Sequence, residues 1–215
     1  NLGDVYVFDA FGTSHREQAS THSAITYSSQ ACAGILLEQE IESLTKALNE
    51  SEKPYTAIIG GAKVSTKLEL IKNINTKADY VIVGGGIANT FIKASGYEVG
   101  KSLYEESMLE IAKDILKSGK IILPKTVVTS LTFEGKQIQQ KDISEVLPDE
   151  MILDQIVTSQ MKEVISTSKT ILWNGPLGVF ENKEFSQGTK ELSKEISKSK
   201  GCLLYTSPSP RDVSL

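Results

Sequence analysis

Short apolar runs alternate along this chain with longer segments in which apolar residues recur every three or four positions. The short runs, rich in β-branched and aromatic residues, predict buried strands. The predicted strands are Val5–Phe8, Tyr55–Ile59, Tyr80–Val83, Ile121–Leu123, Met151–Asp154 and Thr170–Trp173. The spacing of three and four predicts helices. The predicted helices are Ala31–Asn49, Ser65–Asn75, Ala88–Ser95, Ser107–Ser118, Thr158–Ser168 and Glu184–Ser199.

Strands and helices alternate from Tyr55 onward. This alternation is typical of βαβ units, in which right-handed helical crossovers join parallel strands. We therefore predict the α/β class, with a parallel sheet and flanking helices. Ser51–Pro54 breaks the chain before this region. Phe133–Glu150 is polar, and a hairpin is expected around Gly135.

Both ends of the chain are unusual. The chain begins almost directly on an apolar run that reads as an interior strand, so we expect further sequence upstream. After Gly201, two leucines and a tyrosine lead into alternating serine and proline. A strand is due here in the alternation, but this composition fits neither strand nor helix. We expect residues 203–215 to be a tail that is disordered or not native to the protein.

Composition and charge narrow the class of protein. The 215 residues are 40% hydrophobic and 23% charged, as in ordinary globular proteins. The net charge of -4 gives no broad basic field for nucleic acid, although a local basic pocket is compatible with it. No apolar stretch could span a bilayer, and Asp4 interrupts the early apolar run, so we expect no signal peptide. Two distant cysteines favour a reducing, cytoplasmic setting, with Cys32 a buried thiol.

Two glycines and two lysines follow the predicted strand Tyr55–Ile59. They are Gly60, Gly61, Lys63 and Lys67, and a helix is predicted directly after them. Open α/β sheets bind ligands at this place, outside the carboxyl ends of their strands. Glycine lets a main chain approach a phosphate, and a helix N-terminus and lysine both favour an anion. The cluster fits a nucleotide-phosphate site and, equally, an ordinary strand–turn–helix with a solvated lysine.

Two further glycine clusters also follow predicted strands. Gly84–Gly86 comes after Val83, and Asn174–Pro176 comes after Trp173. The first is not a dinucleotide-binding pattern, and it does not match the P-loop either. Alone, it fits a tight turn between strand and helix just as well. Glycine turns on consecutive strands would, however, lie side by side at one edge of the sheet and form a slot for a flat ring or a phosphate chain.

Four polar side chains near the ends of strands are further candidates. Glu181 could accept hydrogen bonds from a ribose diol, or could be an acid stabilised at a helix N-terminus. Asn174 could contact a phosphate or merely shape its turn. His15 and Arg16 follow the first strand. They could grip an anionic substrate, because arginine binds phosphate or carboxylate bidentately, or could be a surface pair.

Four stretches together resemble the phosphoglycerate kinase family, in its bacterial form. They are Asp9–Arg16, Gly60–Lys67, Val83–Phe91 and Leu172–Glu181. They occur in the order and spacing of that family, and the resemblance spans roughly Asp4 to Lys200. Four long motifs in order are far more specific than any one of them.

The resemblance implies a two-lobed glycolytic kinase. One lobe binds 3-phosphoglycerate or 1,3-bisphosphoglycerate. The other binds ADP or ATP with Mg²⁺, which is held mainly through the nucleotide. Hinge closure then permits reversible phosphoryl transfer to ADP. Residues 1–30 would be a remnant of the substrate lobe, 31–50 the interdomain helix, and 54–202 an incomplete, Rossmann-like nucleotide lobe. The resemblance also implies a monomeric parent with no nucleic-acid or membrane partner.

The resemblance also implies roles for individual residues. Arg16 would bind the substrate, with His15 beside it, and Lys63 would lie near the transferring phosphoryl group, so Arg16 and Lys63 are the implied catalytic residues. Lys67 would bind nucleotide phosphates and Glu181 the ribose. The other implied nucleotide-binding residues are Gly61, Ala62, Lys63, Gly85, Gly86, Asn174, Gly175, Leu177 and Val179. No side-chain metal ligand is implied.

The chain departs from the family pattern at Phe8, where the family usually has a smaller or unbranched residue, and in three further places. The early motifs, with most substrate-binding arginines, are absent, and so is the late Gly-Gly-Gly-Asp-Thr motif, whose aspartate helps to hold the metal–nucleotide. Gln155-Ile156 stands where the family usually has a glycine soon after Leu-Asp. We therefore expect a chain truncated at both ends, with little kinase activity. The alternatives are a non-catalytic nucleotide-binding α/β fragment and an unrelated binding protein whose glycine clusters do not converge.

Overall fold

The computed structural model describes residues 3–14, 16–49 and 51–205. They form two compact units, the first ending at Ser51 and the second running from Glu52 to Tyr205. The boundary falls in the segment where the sequence predicts a break. Within the described ranges, no helix combines the length and the apolar character needed to cross a lipid bilayer.

The first unit contains a two-stranded parallel sheet. Its elements in chain order are β1 (Tyr6–Phe8), a π-helical segment (Ala19–Ser23) that continues into α1 (Ala24–Tyr27), β2 (Ala31–Ala33) and α2 (Ile35–Asn49). Tyr6 is aligned with Ala31 and Phe8 with Ala33. All three residues of β2 are exposed, so Cys32 is an exposed thiol and the prediction of a buried one is wrong.

The helix predicted over residues 31–50 begins later, at Ile35. Its first three predicted residues form β2, because main-chain pairing with β1 outweighs the helix propensity of alanine. Asp9 helps to fix where the helix starts. One oxygen of its carboxylate accepts a hydrogen bond from the main-chain nitrogen of Leu37 at 2.7 Å, which satisfies a donor in the first turn. The role of this helix as a link between lobes stays a prediction.

Eight strands and five α-helices make up residues 52–205. The strands are β3 (Tyr55–Ile59), β4 (Tyr80–Val83), β5 (Ile121–Ile122), β6 (Thr126–Ser130), β7 (Gln139–Asp142), β8 (Met151–Gln155), β9 (Thr170–Asn174) and β10 (Cys202–Tyr205). The helices are α3 (Leu68–Lys77), α4 (Gly85–Ala94), α5 (Leu109–Leu116), α6 (Ser159–Thr167) and α7 (Gln187–Lys198). The predicted α/β alternation is confirmed.

Five of these strands form the predicted parallel sheet, in the order β10-β9-β3-β4-β5. The central strand, β3, is buried along its whole length. Tyr55, Ala57 and Ile59 belong to one apolar core, and Ile58 belongs to a second. Because both faces of the sheet are covered, the strand is a continuous apolar run and not an alternating one.

The other three strands of this unit form an antiparallel sheet in the order β7-β6-β8. Gly135 lies in the connection between β6 and β7, so the predicted hairpin is confirmed. The predicted strand at Met151 is also present, but it pairs with β6 in this sheet. Lys141 on β7 forms an ion pair at 2.8 Å with Glu150, and both side chains are almost fully buried.

The irregular tail predicted from residue 203 needs correction at its start. Residues 202–205 form β10, which pairs in parallel with β9 at the edge of the sheet. The pairing gives the main chain hydrogen-bond partners, and Leu204 packs against an apolar core. The strand that was due in the alternation is therefore present. Residues 206–215 lie outside the described residues.

Candidate functional site

Three glycine turns meet at one edge of the parallel sheet. They follow β9, β3 and β4, which are neighbours in the sheet and end on the same side. Ile59 is aligned with Val83 in one direction and with Asn174 in the other. The convergence expected of a ligand slot is present, so the alternative in which the glycine clusters lie apart is wrong.

The glycine turns contact one another through their main chains. The Gly60 nitrogen donates a hydrogen bond to the Asn174 carbonyl at 2.9 Å. The Gly85 nitrogen donates to the Leu177 carbonyl at 2.7 Å. These amides already have acceptors. A phosphate in the slot would therefore be bound more by the nearby lysines than by the amides of the glycine turns.

At several positions in these turns, a side chain would fit only if the main chain were displaced, and Gly60 and Gly175 are two examples. A Cβ on Gly60 would lie 1.8 Å from the Pro176 carbonyl oxygen. Gly175 has a φ of 94°, in the left-handed region, and a Cβ there would lie 2.5 Å from the Gly60 carbonyl oxygen. The primary role of these glycines is therefore to let main-chain segments pack closely against each other, and letting a ligand approach is secondary.

A cavity of about 240 Å³ opens beside the turns. The glycine turns after β3 and β4 form one wall, and the loop of residues 176–181 forms the other. Most of the lining is apolar, as is typical of small-molecule sites. The predicted nucleotide-binding residues that line it are Gly61, Ala62, Gly85, Gly86, Val179 and Glu181.

The sequence did not predict the rest of the lining. The further residues are Asn89, Leu103, Phe133, Met151, Ile152, Leu153, Pro176, Gly178 and Phe180. Leu103 and Phe133 lie on connections far in sequence from the glycine clusters, so no local pattern marks them. Asn89 could have been found from the sequence, because it lies four residues after Gly85 and therefore on the same face of the helix. Its side-chain nitrogen donates to the Leu103 carbonyl at 3.2 Å.

The ammonium group of Lys67 lies between the ends of β3 and β9. Its Nζ donates to the Gly60 carbonyl at 2.6 Å and to the Asn174 carbonyl at 3.3 Å. Burial lowers the pKa of Lys67 below the ordinary value for lysine, because desolvation disfavours the charged form. A bound anion would stabilise the charge again, so this position suits a phosphate.

The turn that carries Lys63 is held by Glu105, a residue that no sequence motif marks. The Glu105 carboxylate accepts hydrogen bonds from the Ser65 main-chain nitrogen, at 2.7 Å, and from the Ser65 hydroxyl. Partial burial acts to raise the pKa of Glu105. The Ser65 hydrogen bonds and the Lys63 charge outweigh burial and hold that pKa below its usual value. The carboxylate therefore caps the helical turn Ser65–Lys67, and the Lys63 side chain is exposed beside it.

The remaining predicted residues occupy different environments. The Leu177 side chain is buried in the second apolar core, and its Cδ2 also packs against the glycine turn after β4, 2.7 Å from where a Cβ on Gly84 would lie. Glu181 is exposed on the lining loop. In the first unit, Arg16 has an exposed side chain in the loop after β1. His15 lies outside the described residues.

Comparisons with known proteins identify the family. A family model described as phosphoglycerate kinase matches residues 1–207. The phosphoglycerate kinase of Francisella tularensis subsp. tularensis is 50% identical over 207 residues, and that of Vibrio campbellii is 47% identical over 204 residues. These alignments cover 93% and 94% of this chain, respectively, and 53% of each relative.

Solved structures give the same result. The structure of phosphoglycerate kinase from Coxiella burnetii matches with a TM-score of 0.82 and 42% identity, covering 95% of this chain and 55% of that chain. The enzyme from Pyrococcus horikoshii OT3 matches with a TM-score of 0.77 and 30% identity, covering 92% and 52%. The chain spans about half the length of the curated relatives that it matches. Because the family model covers nearly all of it, this chain belongs to the phosphoglycerate kinase family.

Proposed function

We propose that the slot binds the nucleotide of the phosphoglycerate kinase reaction. The base would lie between Val179 and the glycine wall, which consists of Gly61, Ala62, Gly85 and Gly86. The ribose would contact Glu181, and the phosphates would contact Lys67 and Lys63. The observation that carries the proposal is the convergence of three glycine turns at one edge of the sheet, with the Lys67 ammonium between two strand ends. Membership of the family supports it.

The reaction proposed for the whole protein is reversible phosphoryl transfer from 1,3-bisphosphoglycerate to ADP, which gives 3-phosphoglycerate and ATP. The transferring group carries negative charge on its oxygens, so the protein must supply positioning and positive charge more than a covalent nucleophile. Lys63 would face that group, and Arg16 would bind the acidic substrate. Exclusion of water would protect the acyl phosphate from hydrolysis. The cytoplasmic setting and the monomeric state stay predictions.

Magnesium would enter with the nucleotide. Mg²⁺ is usually held by one or two carboxylates together with substrate phosphates, and it neutralises charge on those phosphates when bound. Among the described residues, no three His, Cys, Asp or Glu side chains lie together as a ready ligand set. In this proposal, Lys67 and Lys63 would contact the phosphates that bring the metal with them.

Isothermal titration calorimetry with ADP and Mg²⁺ tests the nucleotide site. Lys67→Met keeps the length of the side chain and removes its charge. We expect the dissociation constant for ADP to rise about ten- to a hundredfold, since a charge-assisted hydrogen bond contributes roughly 1.5–3 kcal/mol. Lys194→Met, at an exposed position of α7, is the matched control and should bind like wild type. No binding by wild type, or equal binding by Lys67→Met, would contradict the proposal.

A non-catalytic nucleotide-binding fragment is the second candidate. The observation that favours it is that the chain spans about half the length of its curated relatives. A coupled assay of ATP formation separates the two candidates. ADP binding without turnover favours the fragment. Turnover near that of a full-length relative favours the kinase and contradicts the low activity predicted from the sequence.

A further inference from the structure

Strand β8 lies between the two walls of the slot. One of its edges pairs with β6, and within the described antiparallel sheet its other edge has no strand partner. The Val179 nitrogen donates to the Leu153 carbonyl at 2.8 Å, so the loop that forms one wall is attached to β8. The last two residues of the strand, Asp154 and Gln155, are each only 2% exposed.

Asp154 contacts the wall formed by residues 176–181. One carboxylate oxygen accepts a hydrogen bond from the Gly188 nitrogen, at the start of α7, at 2.8 Å. A Cβ on Gly178 would lie 2.5 Å from the other oxygen, so this loop packs directly against the carboxylate. β8 and this wall are therefore joined through both main-chain and side-chain contacts.

Gln155 reaches the opposite wall. Its Nε2 donates a hydrogen bond to the carbonyl of Val83 at 3.1 Å. Val83 ends β4 and immediately precedes the turn Gly84–Gly86, which contributes Gly85 and Gly86 to the glycine wall. The pairing of β4 with β5 extends only to Ile82, opposite Ile122, so β5 does not supply a donor at Val83. A buried carbonyl needs a donor, and the Gln155 side chain provides one.

We propose that Gln155 is a positioning residue that sets the width of the nucleotide slot, an inference that rests on the proposed nucleotide-binding function. Its strand holds one wall, and its side chain holds the other. Gln155 is not among the residues that line the cavity, so it acts through the glycine wall and not through the ligand. The sequence departs from the family pattern at this position, so the role does not follow from family membership.

Gln155→Met is the first test. Methionine keeps the length and approximate volume of the side chain but cannot donate to Val83. We expect the dissociation constant for ADP, measured by calorimetry, to rise about tenfold. Affinity for tripolyphosphate, which lacks base and ribose, should change less than about twofold, because the walls hold the base. Gln140→Met, an exposed position on β7, is the matched control and should bind both like wild type.

Gln155→Glu separates positioning from packing. A neutral carboxyl group can donate to the Val83 carbonyl, a carboxylate cannot, and burial raises the pKa of a glutamate. Relative to wild type at each pH, ADP binding by Gln155→Glu should be weakened at about pH 8 and recover at about pH 5.5, whereas the deficit of Gln155→Met should stay constant. Asp154 is the adjacent titratable group, and comparison with wild type at each pH corrects for it. A residue that only stabilised the fold would show no such recovery of affinity.

The outcomes separate this inference from the proposed function. If wild type binds ADP and Gln155→Met binds it equally well, the positioning role is wrong and the nucleotide site stands. If wild type does not bind ADP, both are overturned. If circular dichroism shows that Gln155→Met does not fold, the pH comparison of Gln155→Glu decides: recovery of affinity at low pH supports the role, and a constant affinity ratio refutes it.

Discussion

Gly86→Ala tests whether contact between main-chain segments shapes the slot. Gly86 is the second residue of α4, and an alanine Cβ there would lie 2.2 Å from the Ala62 carbonyl oxygen and 3.2 Å from the Ala62 Cα. Real Cβ atoms do not approach other heavy atoms closer than 3.0 Å, so the segments must separate by at least about 0.8 Å, the difference between 3.0 and 2.2 Å. No side-chain rotation can relieve a contact with main-chain atoms.

Two effects of this substitution oppose each other. Overpacking a well-packed position costs about 1–3 kcal/mol. Replacing glycine by alanine inside a helix stabilises by at most about 1 kcal/mol, and the benefit is smaller in the first turn. We therefore expect the free energy of unfolding to fall by about 1–2 kcal/mol. Because Gly86 and Ala62 both line the slot, the ADP dissociation constant should also rise, by about tenfold or more.

Urea denaturation followed by circular dichroism gives the free energy of unfolding, and calorimetry gives the ADP affinity. Gly12→Ala is the matched control, because no atom lies within 4 Å of the Cβ that it would add. Its free energy of unfolding should stay within about 0.5 kcal/mol of wild type. A Gly86→Ala protein with wild-type stability and wild-type ADP affinity would show that main-chain contact at Gly86 does not shape the slot.

Two further predictions concern buried charges. Burial raises the pKa of Asp154 to about 6, above the unfolded value of about 3.9, so the folded state binds the extra proton and loses stability as pH rises from about 4 to 6. Relative to wild type, Asp154→Asn should therefore gain stability as pH rises across that interval, and the difference in free energy of unfolding between the two proteins should be constant at higher pH. Urea denaturation over a pH series measures this difference. If the difference does not change between about pH 4 and 7, the raised pKa of Asp154 is not the cause. Lys141→Met leaves the Glu150 carboxylate buried without its cation and should lower the free energy of unfolding by about 3 kcal/mol. Exposed Lys136→Met is its control, and a loss below about 1 kcal/mol for Lys141→Met would count against a structural role of the pair.

The parallel sheet could be predicted because the period of each strand and helix is a local property. The partner of a strand is not local. The apolar run at Met151 predicts a strand, but nothing in it indicates that the partner is β6 in a separate antiparallel sheet. Ala31–Ala33 shows in another way that strand pairing is not a local property, because here the sequence predicts a helix and the structure has a strand. Alanine favours a helix, and only the distant β1 makes these residues a strand.

The candidate site was predictable to a similar extent. Glycines that follow apolar runs could be assigned to one edge, because parallel strands end on the same side. Phe133 and Leu103 could not be found in this way, since they reach the cavity on connections with no periodic pattern. Glu105 was missed for a related reason. It lies 40 residues from Ser65, and only the folded chain brings the carboxylate to that helical turn.

The main-chain hydrogen bonds among the three glycine turns mean that no turn can separate from its neighbours without disturbing the other two. The amide hydrogens of Gly60, Gly84, Gly85 and Ile87 are each donated to a carbonyl of a neighbouring strand or turn. None of them can exchange with deuterium from the solvent unless those neighbours separate. Their exchange rates should therefore converge on the rate of one cooperative opening. Entry of a ligand and exchange of these hydrogens then report the same fluctuation, and a bound nucleotide would slow all four together.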